Sequence, residues 1–111
     1  MNVLNIAPSV NMKDLASMYY KSKDLWYVAY VPLELLKFYK LNEINYQNNK
    51  SLIAKKHNVM PIILGNYDTT IRKYWLIDGN HRCICARELN YSHVPAIIPV
   101  KCKDPRFVKI K

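Results

Sequence analysis

The stretch that most constrains the fold is Tyr74–Leu89, YWLIDGNHRCICAREL. An apolar run, Trp75-Leu76-Ile77, stops at Asp78-Gly79, passes through a polar corner, Asn80-His81-Arg82, and continues into a segment with helical character. The chain has only two glycines, Gly65 and Gly79, so each stands where the backbone has a use for it. Gly79 lets a strand turn sharply into a helix. A helix start offers unpaired amides and the positive end of the helix dipole, and a histidine and an arginine lie beside it here. Together these favour an anion, and the sequence predicts a phosphate-binding corner.

The rest of the chain supplies elements around this corner. Asn11, with Asp14 three positions on, caps a predicted helix over about 12–21, whose stripe Met12, Leu15, Ala16 and Tyr19 docks on the body. LWYVAYV, 25–31, reads as the first strand and is stopped by Pro32; Leu33–Tyr39 reads as a short helix with Leu35, Leu36 and Tyr39 inward. Lys40–Asn49 is polar and Asn-rich and reads as a loop containing Glu43. A helix over about 50–57 follows, capped by Asn49 and closed by a left-handed Asn58. MPIILG, 60–65, and 72–77 read as a hairpin across a turn at 66–70. The corner helix runs over about 80–89, with Cys85, Ala86 and Leu89 on its packed face, Cys83 off it, and Asn90 left-handed at its end. VPAIIPV, 94–100, carries two prolines and reads as an edge or bent strand. The tail, 101–111, is basic and reads as mobile.

A chain of 111 residues makes one domain, and the class expected is α+β: a small mixed sheet with packed helices and an extra N-terminal helix. Seventeen basic against eight acidic side chains give a charge of +9, which suits a nucleotide, a nucleic acid or an acidic protein as partner. The three cysteines, Cys83, Cys85 and Cys102, are an odd number, and their C-x-C spacing is not that of a structural zinc site. No apolar run is long enough to span a bilayer and no secretory leader is evident, so the expected location is the cytoplasm.

Pro61-Ile62, Ile77-Asp78-Gly79-Asn80-His81-Arg82, Ala86, Leu89 and Val94-Pro95-Ala96, in this order and spacing, resemble the ParB/sulfiredoxin superfamily over residues 25–100. The resemblance implies a nucleotide, ATP, ADP or CTP with Mg²⁺, whose phosphates rest on Gly79, Asn80, His81 and Arg82. Asp78 would then orient the corner, a metal or an acceptor group. Asn80 stands where sulfiredoxins carry their catalytic cysteine. The Asp-Gly-x-His-Arg core is most similar to that of the free-serine kinase branch and of small phage and bacterial ParB-like proteins. That branch implies a phosphotransferase or ATPase with a glutamate base, for which Glu34 and Glu43 are the candidates. The alternative is a non-catalytic regulator of the same fold that binds DNA or protein. The corner's less specialised roles are Asp78 as a helix cap and Arg82 in a bridge to Asp78 or Glu88.

Overall fold

The structure is a computed structural model and describes residues 2–39 and 41–110. Lys40 and Lys111, which open the expected loop and close the expected tail, lie outside the described residues. The domain is α+β, with three α-helices and a mixed five-stranded sheet. In chain order the elements are β1 (Asn5–Ile6), α1 (Met12–Ser17), β2 (Trp26–Pro32), α2 (Glu43–Lys56), β3 (Asn58–Val59), β4 (Ile62–Asp68), β5 (Lys73–Asp78), α3 (Asn80–Glu88), β6 (His93–Pro99) and β7 (Val108–Lys109). The main sheet has the order β5-β4-β6-β2-β7, in which only β4 and β6 are parallel. β1 and β3 form a separate parallel pair.

Strand alternation gives the sheet two apolar faces. Ala29 and Val31 of β2, Ile62 and Leu64 of β4, and Ala96 and Ile98 of β6 enter the main core, with Tyr46 and Ile53 of α2 and Cys83–Ala86 of α3. Ile63 and Ile97 point the other way, onto α1. There Met12, Leu15, Ala16 and Tyr19 pack against them, as the spacing predicts, although the helix ends at Ser17 and not near residue 21, so Tyr19 lies past its end. Burying each isoleucine is worth about 1.5–3 kcal/mol, so α1 is an integral cover of the second face. Asn11 caps α1 through its Oδ1, which accepts from the Asp14 amide at 3.1 Å.

Several boundaries differ from the sequence reading. The expected loop at 40–49 is mostly helix: α2 begins at Glu43, capped by Asn42, whose Oδ1 accepts from the Asn45 amide. This helix has no apolar stripe to announce it. Ile44 and Leu52 are exposed while Tyr46 and Ile53 are buried. Its left-handed end is His57, φ 57°, one residue before the Asn58 expected, and Asn58 opens β3. Residues 33–39 form only a single 3₁₀ turn, Leu33–Leu35, because the chain then runs along β5: the Lys37 amide donates to the Tyr74 carbonyl. Leu35 and Leu36 are inward as expected, but Tyr39 is 46% exposed.

β6 is central, not an edge. Pro32, Pro95 and Pro99 all fall in one register class of the β2–β6 pair: Pro32 opposite His93, Tyr30 opposite Pro95, Trp26 opposite Pro99. Proline has no N–H to give, so this class takes the non-hydrogen-bonded pairs. The intervening pairs Val31–Val94, Ala29–Ala96 and Tyr27–Ile98 carry the ladder. β4 continues past Gly65 to Asp68 by bulging, and a Cβ at Gly65 would lie 2.7 Å from the Trp75 carbonyl oxygen. The tail folds back: β7 pairs with β2, and Phe107 packs on Tyr74 with ring centroids 5.4 Å apart. Asp104 anchors this return by accepting from Arg106 and from the Tyr74 hydroxyl at 2.9 Å.

Candidate functional site

Gly79 makes the turn between β5 and α3. Its φ of 111° is open to glycine and strained for other residues, and a Cβ there would meet Ile62 Cγ2 at 2.4 Å. No side chain caps α3, so Asp78 is not its cap. The first intrahelical bond runs from the Cys83 amide to the Gly79 carbonyl at 3.0 Å. Among the described residues the amides of Asn80, His81 and Arg82 have no partner.

The side chains of the motif face outward and fasten the segments around it. Asn80 Oδ1 accepts from the Tyr39 amide at 2.6 Å and its Nδ2 donates to the Tyr39 carbonyl at 3.4 Å, which holds the strap beside β5. His81 Nε2 accepts from the Asn42 amide at 2.8 Å, so the ring carries its proton on Nδ1 and fixes the start of α2. The Arg82 guanidinium donates to the Met60 and Pro61 carbonyls at 3.2 and 3.3 Å and pairs with Asp78 at 3.1 Å. Of the two bridges considered for Arg82, the structure forms the one to Asp78, while Glu88 accepts from the Tyr46 hydroxyl. Asp78 also accepts from the Tyr19 hydroxyl at 3.4 Å, which ties the end of the α1 region to the corner. Burial, reinforced by the neighbouring Asp78 carboxylate, raises the Tyr19 phenol above its ordinary range.

What remains open is backbone. Gly79–Arg82 line a polar depression of about 240 Å³ whose other wall is Asn45 and Asn49 of α2, with Asp78 at its rim. Asn49 Nδ2 donates to the Asn45 carbonyl at 2.7 Å. An apolar groove of about 500 Å³ adjoins it, sharing Asn49 and Arg82 and reaching Leu52, Val59 and Met60. The depression therefore offers amide donors at a helix start, carboxamides opposite, and an apolar shelf alongside.

The two candidate bases are not brought to this depression. Glu34 lies beside a different one, with Lys73, Arg87 and His93. Glu43 sits in the first turn of α2, where its carboxylate accepts from Gln47 at 2.9 Å. Cys83 is fully buried in the core rather than off the packed face, and burial pushes its thiol up to about 12. Cys85 is also buried, with its thiol at about 11, and its Sγ contacts the Tyr46 carbonyl at 3.3 Å. His57 and His93 meet the Tyr91 hydroxyl at 3.2 Å and the Ser92 hydroxyl at 2.7 Å, respectively.

Asn45 and Asn49 were not among the expected site residues. Their signal is the spacing Asn42, Asn45, Asn49, which puts a cap and two carboxamides on one side of a helix. As a magnesium site the corner offers one carboxylate, Asp78. Among the described residues no three His, Cys, Asp or Glu side chains cluster as metal ligands. A Mg²⁺ ion held at this depression would have Asp78 as its one protein carboxylate in the lining. No helix among the described residues is long and apolar enough to cross a membrane. No family model matches the chain, and no characterised protein matches it in sequence.

Proposed function

We propose that this is a ParB/sulfiredoxin-like nucleotide-binding domain in which the first turn of α3 receives the phosphates. The observation that carries the reading is the set of unpartnered amides at Asn80, His81 and Arg82 opening on a polar depression. Amides directed at one point beside the positive end of a helix bind phosphate without any charged side chain. Asn45 and Asn49 would donate from the opposite wall. Arg82 contributes mainly by holding the corner's shape, since its fork is already shared among Asp78, Met60 and Pro61. The apolar groove past Asn49 favours a ligand with an organic portion, ATP, ADP or CTP, over a bare phosphate. In a phosphotransferase or ATPase version, Asp78 is the carboxylate nearest the phosphates, and Glu34 or Glu43 would have to move to act as base.

Calorimetry with ATP, ADP and CTP, with and without Mg²⁺, tests this on the wild type, Asn45→Ala/Asn49→Ala and Asp78→Asn. Wild type binds, the double variant binds more weakly, and Asp78→Asn binds more tightly without Mg²⁺, because a carboxylate at the rim repels phosphate. A gain of about fivefold corresponds to about 1 kcal/mol, the Coulomb scale for a solvated pair. Absence of binding to all three nucleotides contradicts the reading.

A second reading, a non-catalytic regulator that binds DNA or an acidic protein, rests on charge. Among the basic side chains of the described residues only Arg82 and Arg106 are in ion pairs, so most of that positive charge is left to an external partner. DNA affinity that falls steeply with salt supports it. Salt-insensitive or absent DNA binding leaves the acidic protein.

A further inference from the structure

A further concavity shares no lining residue with the corner. It measures about 850 Å³, within the range of small-molecule sites. It is lined by Ile6, Met12, Val28 and Val100 together with residues of the returning tail. Its origin is architectural. α1 has only six residues and packs over Ile63 and Ile97, on the central strands β4 and β6. β7 then widens the sheet beyond β2, further than so short a helix reaches. Apolar surface is left uncovered there: Val100 is 39% exposed.

Among the described residues its unpaired charges have one sign. Lys103 and Lys109 line it, both exposed, and among the described residues neither is in an ion pair. The one carboxylate in the lining, Asp104, is already held by Arg106 and the Tyr74 hydroxyl, and these bonds keep it well below the usual carboxylate range. The rim is therefore net positive over an apolar interior.

The geometry points to a binding site for a single anionic amphiphile, a molecule with an alkyl or aryl body and one carboxylate-like head. The body lies against Met12, Val28 and Val100, and the head meets Lys103 and Lys109. A neutral apolar molecule gains only the first contact, and an inorganic anion only the second. This site shares no lining residue with the nucleotide depression and does not depend on it.

Decanoate below its micelle concentration is the probe, with decanol as the neutral control, followed by calorimetry and by tyrosine and tryptophan fluorescence. Decanoate binds saturably at one site and more tightly than decanol. Lys103→Glu/Lys109→Glu weakens decanoate about tenfold while leaving decanol unchanged. Val100→Glu, at a half-exposed position, weakens both; circular dichroism verifies each fold. Asp78→Asn leaves decanoate affinity unchanged. The inference is overturned by any of three results: no saturable binding, decanoate binding that survives the double charge reversal, or binding only to anionic vesicles and not to monomeric decanoate.

Discussion

Gly79→Ala is the substitution that most directly probes how the corner is built. Two costs add. An L-residue at φ 111° is outside its ordinary regions, and a left-handed conformation costs alanine about 1–2 kcal/mol. The new Cβ would also lie 2.4 Å from Ile62 Cγ2 and 2.8 Å from Ile62 Cβ, inside a strand that cannot retreat because Ile62 is fully buried. Overpacking of this kind costs about 1–3 kcal/mol. The sum, about 2–5 kcal/mol, corresponds for a domain of this size to a fall in Tm of roughly 10–20 °C. Thermal and urea unfolding followed by circular dichroism measure it. Gly79→Asn separates the terms, since asparagine tolerates positive φ but still carries the Cβ, so it recovers only part of the loss. Ile62→Ala in the Gly79→Ala background costs less than it does alone, by about 1–2 kcal/mol, because one clash is relieved. A Gly79→Ala cost under about 1 kcal/mol, or strict additivity with Ile62→Ala, refutes the close approach of turn and strand.

Arg82→Ala lowers stability by about 1–3 kcal/mol, through the Met60 and Pro61 carbonyls and the Asp78 carboxylate it leaves behind; chemical denaturation reads this loss, which a purely ligand-binding arginine would not produce. Among the three thiols, half-buried Cys102 reacts first with Ellman's reagent in the native protein at pH 8, and Cys83 and Cys85 react only on unfolding, because burial raises them to about 12 and 11. Asp104 is depressed by hydrogen bonds from Arg106, so its contribution is complete above its unfolded value of about 4 and is lost as pH falls below that. The Tm gap between wild type and Asp104→Asn accordingly narrows steadily as pH falls below about 4; a gap of unchanged size in acid contradicts the assignment.

The elements with a single strong signal were legible in the sequence. The α1 stripe, the β2 run, the hairpin, the Gly79 turn, the α3 helix and the left-handed Asn90 follow from local periodicity and backbone chemistry. Elements fixed by distant contacts were not. α2 has no apolar stripe, and its start depends on the His81 ring fastening Asn42 from another helix. β6 keeps its prolines in a central position because both fall at pairs with β2 that need no N–H from them. The tail is held by Tyr74 and β2, neither of which is near it in sequence. At the site, the turn and its free amides were readable from Asp78-Gly79-Asn80-His81-Arg82. Which groups stay free was not, since that depends on Tyr39, Asn42, Met60 and Pro61 consuming the three side chains.

The central claim is that the backbone at the start of α3 holds a phosphate, and a ¹H–¹⁵N titration with ATP and CTP reads that backbone residue by residue. The largest saturable shifts are expected on the amides of Asn80, His81 and Arg82 and on the carboxamides of Asn45 and Asn49, with ATP or CTP and less strongly with the nucleoside alone. Saturation with those amides unmoved, or shifts confined to lysines of the surface, would contradict it.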